Sequence, residues 1–157
     1  MSTKKDKFNY KDHLFMNLAF NLAKDRIGLT GDNPSVGCVI VKNNNLISTG
    51  QTSLNGRPHA EFNALRNVNK NLKGSTMYVT LEPCSHYGKT PPCTKYIIKN
   101  KIKKVIYSIE DIDKRSSKKA YKILKNKNIN VKKGLLKKKI NELYEGYLIN
   151  RKRNMPY

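Results

Sequence analysis

His59 and Glu61 stand two residues apart in His59-Ala60-Glu61, and two thiols follow at Cys84 and Cys93, the first directly after Pro83. One imidazole and two thiols are three ligands that zinc accepts in a tetrahedron. A three-ligand zinc keeps its fourth position for water, which is the arrangement of a catalytic site. Glu61 is the informative group outside that ligand set. Zinc draws the pKa of its water toward ~7, and a carboxylate beside that water can take a proton and hand it to a leaving amine. The chemistry is hydrolytic deamination: water replaces an amino group on a ring carbon and ammonia leaves. A closed zinc site that only braces the fold needs a fourth protein ligand. His86 is the nearby candidate, and its spacing from Cys84 neither admits nor excludes it.

The positions of these residues follow from the elements around them. Tyr10 to Ile27 carries apolar residues at helical spacing, Leu14, Leu18 and Leu22 with Phe15, Ala19 and Ala23 beside them, and Gly28 ends that helix. Asn33-Pro34 is a turn. Val36 to Val41 and Leu46 to Thr49 are β-rich runs, joined as a hairpin by Asn43-Asn44-Asn45. Pro58 precedes a short helix starting at His59, and Thr76 to Leu81 is a third strand. Pro91-Pro92 opens another helix, Val105 to Ile109 is a fourth strand, and Ser116 to Lys125 is helical. Ile129 to Val131 is a short strand, and Leu135 to Asn150 a last helix. This order predicts a three-layer α/β/α domain around a mixed central sheet of about five strands. His59 and Glu61 then sit at one helix start, Cys93 at another, and Cys84 at a strand end. Helix N-termini favour thiolate over thiol, so two helix starts can face one ion. Residues 1–9 read as a flexible basic N-terminus, 10–150 as the zinc-dependent domain, and 151–157 as a C-terminal tail.

At 157 residues the chain is one domain, large enough to bury a core without disulfide staples. Two of its three cysteines lie in the motif, and Cys38 sits in an apolar run, where it reads as a small buried residue. Metal ligation in a reducing, cytoplasmic compartment fits this usage better than a disulfide framework. No apolar run approaches ~18 residues. The stretch Leu14 to Ala23 is interrupted by Asn17 and Asn21 and lacks a cleavage site, so neither a membrane span nor a signal peptide is expected. Net charge is +21 with a pI near 10.0, which raises nucleic acid as a partner. Against that, lysines outnumber arginines 26 to 6, and 20 of the 32 lie from Lys95 onward, with six in 29–94. The excess reads as solvated surface.

Three runs resemble a known family. They are Asn33-Pro34-Ser35-Val36-Gly37-Cys38-Val39-Ile40-Val41, Gly56-Arg57-Pro58-His59-Ala60-Glu61, and Tyr78-Val79-Thr80-Leu81-Glu82-Pro83-Cys84 continuing through Ser85-His86-Tyr87-Gly88-Lys89-Thr90-Pro91-Pro92-Cys93. They are similar to the pyrimidine deaminases of riboflavin biosynthesis, within the cytidine deaminase-like superfamily, and the likeness runs from about Tyr10 to Asn150. Most of that superfamily has two residues between the thiols; here eight intervene, as in the riboflavin branch. The resemblance implies a bound Zn2+ and a phosphorylated small-molecule substrate, 2,5-diamino-6-ribosylamino-4(3H)-pyrimidinone 5′-phosphate, which loses its 2-amino group. It implies His59, Cys84 and Cys93 as ligands and Glu61 as proton carrier. Lys89 and His86 would meet phosphate and ribose, Asn33 the sugar, and Asp111 the substrate side. Plainer readings stand beside these: Lys89 as a solvated lysine, His86 as a structural histidine, Asn33 as a turn former. Gly37 either lets the backbone approach a flat ring or avoids a packed helix.

The sequence departs from the family after the fourth strand, where Asp111 is followed by Ile112, Asp113 and Lys114, and usual glycine positions hold Lys118 and Ala120. Most relatives continue into an NADPH-binding reductase domain. No Gly-rich dinucleotide loop is present, so no reduction is expected from this chain. A homo-oligomer and a separate NADPH-dependent reductase are the protein partners the resemblance implies. Two other functions remain: a transfer-RNA base deaminase using the basic surface, and a non-catalytic zinc-binding partner of a reductase, against which the intact Glu61 argues.

Overall fold

The computed structural model describes residues 6–152. In chain order the elements are α1 (Tyr10–Asp25), β1 (Gly37–Lys42), β2 (Asn45–Gln51), a 3-10 turn at Leu54–Gly56, α2 (Ala60–Arg66), β3 (Thr76–Leu81), α3 (Cys93–Lys99), β4 (Lys104–Ile109), α4 (Lys119–Asn126), β5 (Asn130–Lys133) and α5 (Lys137–Lys152). The sheet order is β2-β1-β3-β4-β5. β1 runs antiparallel to β2 and β3, whereas β3, β4 and β5 are parallel. This is the expected mixed five-stranded sheet with helices on both faces.

Local chemistry sets the element ends. Asn43 and Asn44 take φ of 51° and 61°, the left-handed pair that a tight hairpin turn demands and asparagine tolerates. Asn9 and Asp12 close a capping box at the start of α1, side chain to backbone in both directions at 2.9 and 3.0 Å. On β3, Tyr78 and Thr80 point to the same face because side chains alternate. The Tyr78 hydroxyl donates to Asp12 of α1 at 2.8 Å, and Thr80 Oγ1 lies 2.6 Å from Tyr144 Oη of α5. Helices α1 and α5 therefore share one face, and α2, α3 and α4 pack side by side on the other. Fully buried Met16, Ile40, Met77, Ile97, Ile106, Leu124 and Ile140 fill the space between layers.

Two glycines show how closely the layers approach. A Cβ on Gly37 would stand 1.8 Å from the Ala19 carbonyl oxygen of α1, and one on Gly50 would stand 2.2 Å from that of Ala60 in α2. Gly37 thus belongs to helix packing rather than to a ring-binding surface. The same contact sets the buried face of α1. Phe15, Met16, Ala19 and Ala23 are buried while Leu14 is 50% exposed, because the small alanines are what let the helix backbone reach the strand.

Residues 1–5 and 153–157, which carry most of the expected flexible N-terminus and C-terminal tail, lie outside the described residues. Within the remainder of that N-terminal stretch, Phe8 is buried in the core and Lys7 Nζ donates to the Lys133 carbonyl at 2.7 Å. The chain is thus tied to the sheet edge ahead of α1. Among the described residues no helix is long and apolar enough to cross a membrane.

Candidate active site

Strand direction gathers the chemistry at one end of the sheet. β1 opposes its neighbours, so the segment entering β1 meets the segments leaving β2, β3 and β4. Asn33–Val36, Thr52–Glu61, Leu81–His86 and Asp111–Arg115 consequently contribute to one cleft of about 550 Å3, part of it open to solvent. Clefts outside the carboxyl ends of parallel strands are where open α/β sheets place their ligands.

His59 is the N-cap residue of α2, Glu61 lies in that helix's first turn, and Cys93 is the first residue of α3. Asn63 fixes α2 against the preceding segment: its Nδ2 donates to the Gln51 carbonyl and Ser53 Oγ, both at 2.8 Å. Cys84 is held by the first two amides of α3, with Cys93 N donating to its Sγ at 3.2 Å and Thr94 N to its carbonyl at 3.2 Å. His59 Nδ1 stands 3.7 Å from Cys84 Sγ and 3.6 Å from Cys93 Sγ, and the three donor atoms lie within 4.8 Å of one another. Ligands sharing one tetrahedral zinc at ordinary bond lengths stand about 3.6 Å apart for a nitrogen–sulfur pair. The donor set therefore fits that ion in type and spacing.

The electrostatics follow from crowding these groups together. The Cys93 thiol, the His59 imidazole and the Cys93 amide hold the Cys84 thiol well below its ordinary range, at about 4. The Cys93 thiol is pushed up because it donates to the Cys84 thiolate in a buried place. His59 is raised by its bond to Cys84, against the opposing pull of burial. Glu61 is buried, and burial lifts its carboxyl to about 7 although the His59 charge pulls it down. A carboxyl poised near neutrality can both accept and return a proton.

Residues 9–109 match the family described as the cytidine and deoxycytidylate deaminase zinc-binding region. A diaminohydroxyphosphoribosylamino-pyrimidine deaminase from Buchnera aphidicola subsp. Schizaphis graminum is 42% identical over 146 residues, covering 93% of this chain and 99% of that protein. The chain belongs to this deaminase family, in its riboflavin-biosynthesis branch. Riboflavin biosynthesis protein RibD of Aquifex aeolicus is 41% identical over 93% of the chain. The solved structure of Acinetobacter baumannii RibD superposes with a TM-score of 0.87 at 42% identity over 94% of it. The chain spans 41% and 42% of those two longer proteins.

Of the family positions singled out in the sequence, Asn33, His86 and Asp111 line the cleft with His59, Glu61 and Cys84. Asn33 Nδ2 donates to the Gly56 carbonyl at 3.1 Å, which uses part of its amide to hold the motif loop. His86 Nδ1 lies 2.7 Å from Ser116 Oγ, so it does not bond through that nitrogen to the ligand cluster. It is also outside the group of donors that could hold a metal, and no fourth protein ligand completes that group among the described residues. Lys89 is exposed and does not line the cleft.

Several residues in or beside the cleft carried no assigned role in the sequence. Glu82 is a buried carboxylate that gathers the loop after β4, accepting from the amides of Asp111 at 3.0 Å, Lys118 at 3.1 Å and Ala120 at 3.2 Å. An acid closing an otherwise apolar strand was its available signal. Ser116 is wholly buried and orients His86; nothing local marks it. Arg57 and Arg115 also line the cleft. Arg57 was adjacent to the ligand motif, whereas Arg115 lay in an ordinary charged run. Lys118 adopts φ of 62°, the left-handed geometry glycine takes without cost. This matches its place at a usual glycine position of the family.

Proposed function

We propose that this chain is a zinc-dependent hydrolase that removes the 2-amino group of 2,5-diamino-6-ribosylamino-4(3H)-pyrimidinone 5′-phosphate and releases ammonia. The observation that carries the proposal is the convergence of His59, Cys84 and Cys93 on one point with the buried Glu61 carboxyl at the same cleft. The near-complete coverage of a single-domain deaminase relative supports it.

His59 Nδ1 and the two sulfurs would hold the zinc, and a zinc in such a site supplies Lewis-acid activation of a water molecule. Glu61 would remove a proton from the attacking water as its oxygen bonds to the ring carbon, and deliver it to the adjacent ring nitrogen. The carboxyl then carries the second water proton to the departing amine, so the carbon–nitrogen bond breaks and a neutral amine leaves. Thr52 sets the wall opposite, accepting from Val36 N at 2.8 Å and donating to the Pro34 carbonyl at 3.1 Å. That bracing holds Asn33, whose remaining amide capacity faces the sugar. His86, oriented by Ser116, and Asp111, on the loop gripped by Glu82, meet the ribose side, and Lys89, on the loop between the two thiols, meets the phosphate.

The deaminase domain is assigned to 10–150, and it acts in the cytoplasm. Self-association is expected by analogy with the superfamily. The test supplies the zinc-loaded chain with the ribotide and, separately, with single-stranded RNA, and measures ammonia. Release from the ribotide alone supports the proposal. Release only from RNA, or from neither, overturns it.

A further inference from the structure

The first amide of β1 is received by a side chain: Gly37 N–H donates to the Thr80 hydroxyl of β3 at 3.2 Å. Thr80 Oγ1 lies 2.6 Å from Tyr144 Oη of α5, and Tyr144 Oη donates to the Ser35 carbonyl at 2.5 Å. Ser35, Thr80 and Tyr144 are all buried. The ends of this relay set its direction. A carbonyl only accepts, so the Tyr144 proton is committed to Ser35. A hydroxyl has one proton to give, so Thr80 supplies its own to Tyr144 Oη. The relay therefore runs from Gly37 N–H through two hydroxyls to Ser35 C=O, leaving the backbone at the start of β1 and rejoining it two residues earlier. Aligned hydrogen bonds polarise one another where water is excluded.

The segment strapped in this way is a wall of the cleft. Asn33, Pro34 and Val36 line it together with His59 and Glu61. Thr52 grips the segment through the Pro34 carbonyl and the Val36 amide. Ser35, between them, is gripped from the face that carries α1 and α5: its carbonyl accepts from Tyr144, and its hydroxyl donates to the Ala23 carbonyl at 2.5 Å. We propose that Tyr144, acting through Thr80 and Ser35, is a positioning residue for the substrate, because it fixes the wall that carries Asn33. The inference rests on the deaminase reading above. It makes the last helix of the domain part of what shapes the cleft, although that helix lies across the sheet from α2 and α3. Those two helices set the metal ligands. Loss of the Tyr144 hydroxyl should accordingly spare zinc and the chemical step and act on substrate binding.

The test compares the zinc-loaded wild-type chain with Tyr144→Phe, Thr80→Val and Thr80→Ser, and with Ile140→Val as a packing control from the same helix. Ile140 is fully buried and apolar. Ammonia release from the ribotide gives KM and kcat, and amide hydrogen exchange over residues 35–37 is read without substrate. A lost neutral hydrogen bond corresponds to roughly 2- to 12-fold. Tyr144→Phe and Thr80→Val should each raise KM by that factor, with kcat changed less than about twofold and zinc stoichiometry retained. Both should speed exchange in 35–37. Thr80→Ser, which keeps the hydroxyl, should stay near wild type. Tyr144→Phe combined with Thr80→Val should raise KM by less than the product of the single effects, since both interrupt one relay. Ile140→Val should lower the melting temperature and leave KM unchanged. Unchanged KM or exchange in the first two variants, full additivity, or an equal KM rise in Ile140→Val would overturn the positioning role. If Tyr144→Phe does not fold, the Thr80 pair decides, and equal KM for Val and Ser overturns it. A wild type that released no ammonia would sink the deaminase reading instead, and exchange would still report whether Tyr144 holds the segment.

Discussion

Replacing Glu82 by glutamine removes one charge and keeps the shape. Glu82 Oε2 accepts the amides of Asp111 and Lys118, and Oε1 accepts that of Ala120. A glutamine can set its carbonyl oxygen in the Oε2 place and keep two of these bonds. Its NH2 then faces the Ala120 N–H, donor against donor. The lost charge-assisted bond is worth about 1.5–3 kcal/mol, and an orphaned buried amide about 1–3 kcal/mol more. A relief works in the opposite direction. Burial pushes the Glu82 carboxyl above its ordinary value even though the three amides pull it down, so the fold does not fully repay the desolvation of this charge, and glutamine escapes that cost. The net expectation is a loss of about 2 kcal/mol, or roughly 4–8 °C in melting temperature for a domain of this length.

The functional consequence is separable from the stability loss. Glu82 holds the loop bearing Asp111, Arg115 and Ser116, whereas His59, Cys84 and Cys93 are held by α2 and α3. Glu82→Gln should therefore bind zinc with wild-type stoichiometry while KM for the ribotide rises several-fold. Scanning calorimetry, metal analysis and steady-state ammonia release measure the three quantities. Unchanged melting and kinetics would refute the loop-anchoring role, and loss of zinc would mean that Glu82 acts on Cys84 instead. The pH dependence has a definite sign. A carboxyl whose folded pKa is raised contributes stability that is complete below the ordinary carboxylate range and is lost as pH rises through the folded value. Glutamine does not titrate there, so the gap between wild type and variant should be widest in acid and narrow toward neutrality.

Glu61→Gln should retain zinc while kcat falls by about 10²- to 10⁴-fold, the contribution of a positioned proton carrier; metal analysis beside ammonia release checks both halves. Stripping zinc with a chelator should lower the melting temperature, since an ion at 1,000 times its dissociation constant adds about 4 kcal/mol. Cys84→Ser should melt near the chelated wild type and gain nothing from added zinc. Lys118→Gly should raise stability by about 0.5–1 kcal/mol in denaturant titration. The left-handed backbone costs a side-chain residue about 1–2 kcal/mol, and glycine's flexibility returns only part of that.

The legible parts of this protein were those written in local sequence. Hairpin, strand–helix alternation and the proline-marked starts of α2 and α3 each carry their signal within a few residues. His59, Glu61, Cys84 and Cys93 stood out because metal ligation and proton transfer admit few residue types, and the fold brings His59, Cys84 and Cys93 to within 4.8 Å of one another. What escaped depends on contacts across the fold. The buried face of α1 is decided by Gly37 meeting Ala19, a close approach that the helical spacing of apolar residues does not reveal. Ser116 meets His86 across 30 positions, and Glu82 gathers amides 29 to 38 positions away. Backbone amides have no sequence signature, so the partners of such a carboxylate cannot be read until the chain is folded.

The net charge of +21 also looks different from inside the cleft. Four carboxyls line it, those of Glu61, Glu82, Asp111 and Asp113, against two guanidinia. Glu82 is answered by three amides, Asp113 by Arg115, and Asp111 Oδ1 accepts the amide of Asp113. Glu61 is lifted by burial to about 7 and so carries less than a full charge at neutral pH. Each acid is thus neutralised or satisfied by its own neighbours, and Arg57 has no carboxylate partner among the described residues. The lysines that dominate the total lie mostly from Lys95 onward and face water, where salt screens them within about 10 Å. They can speed the approach of an anion. Binding beside His59 and Glu61 depends on the groups that line the cleft rather than on the basic surface.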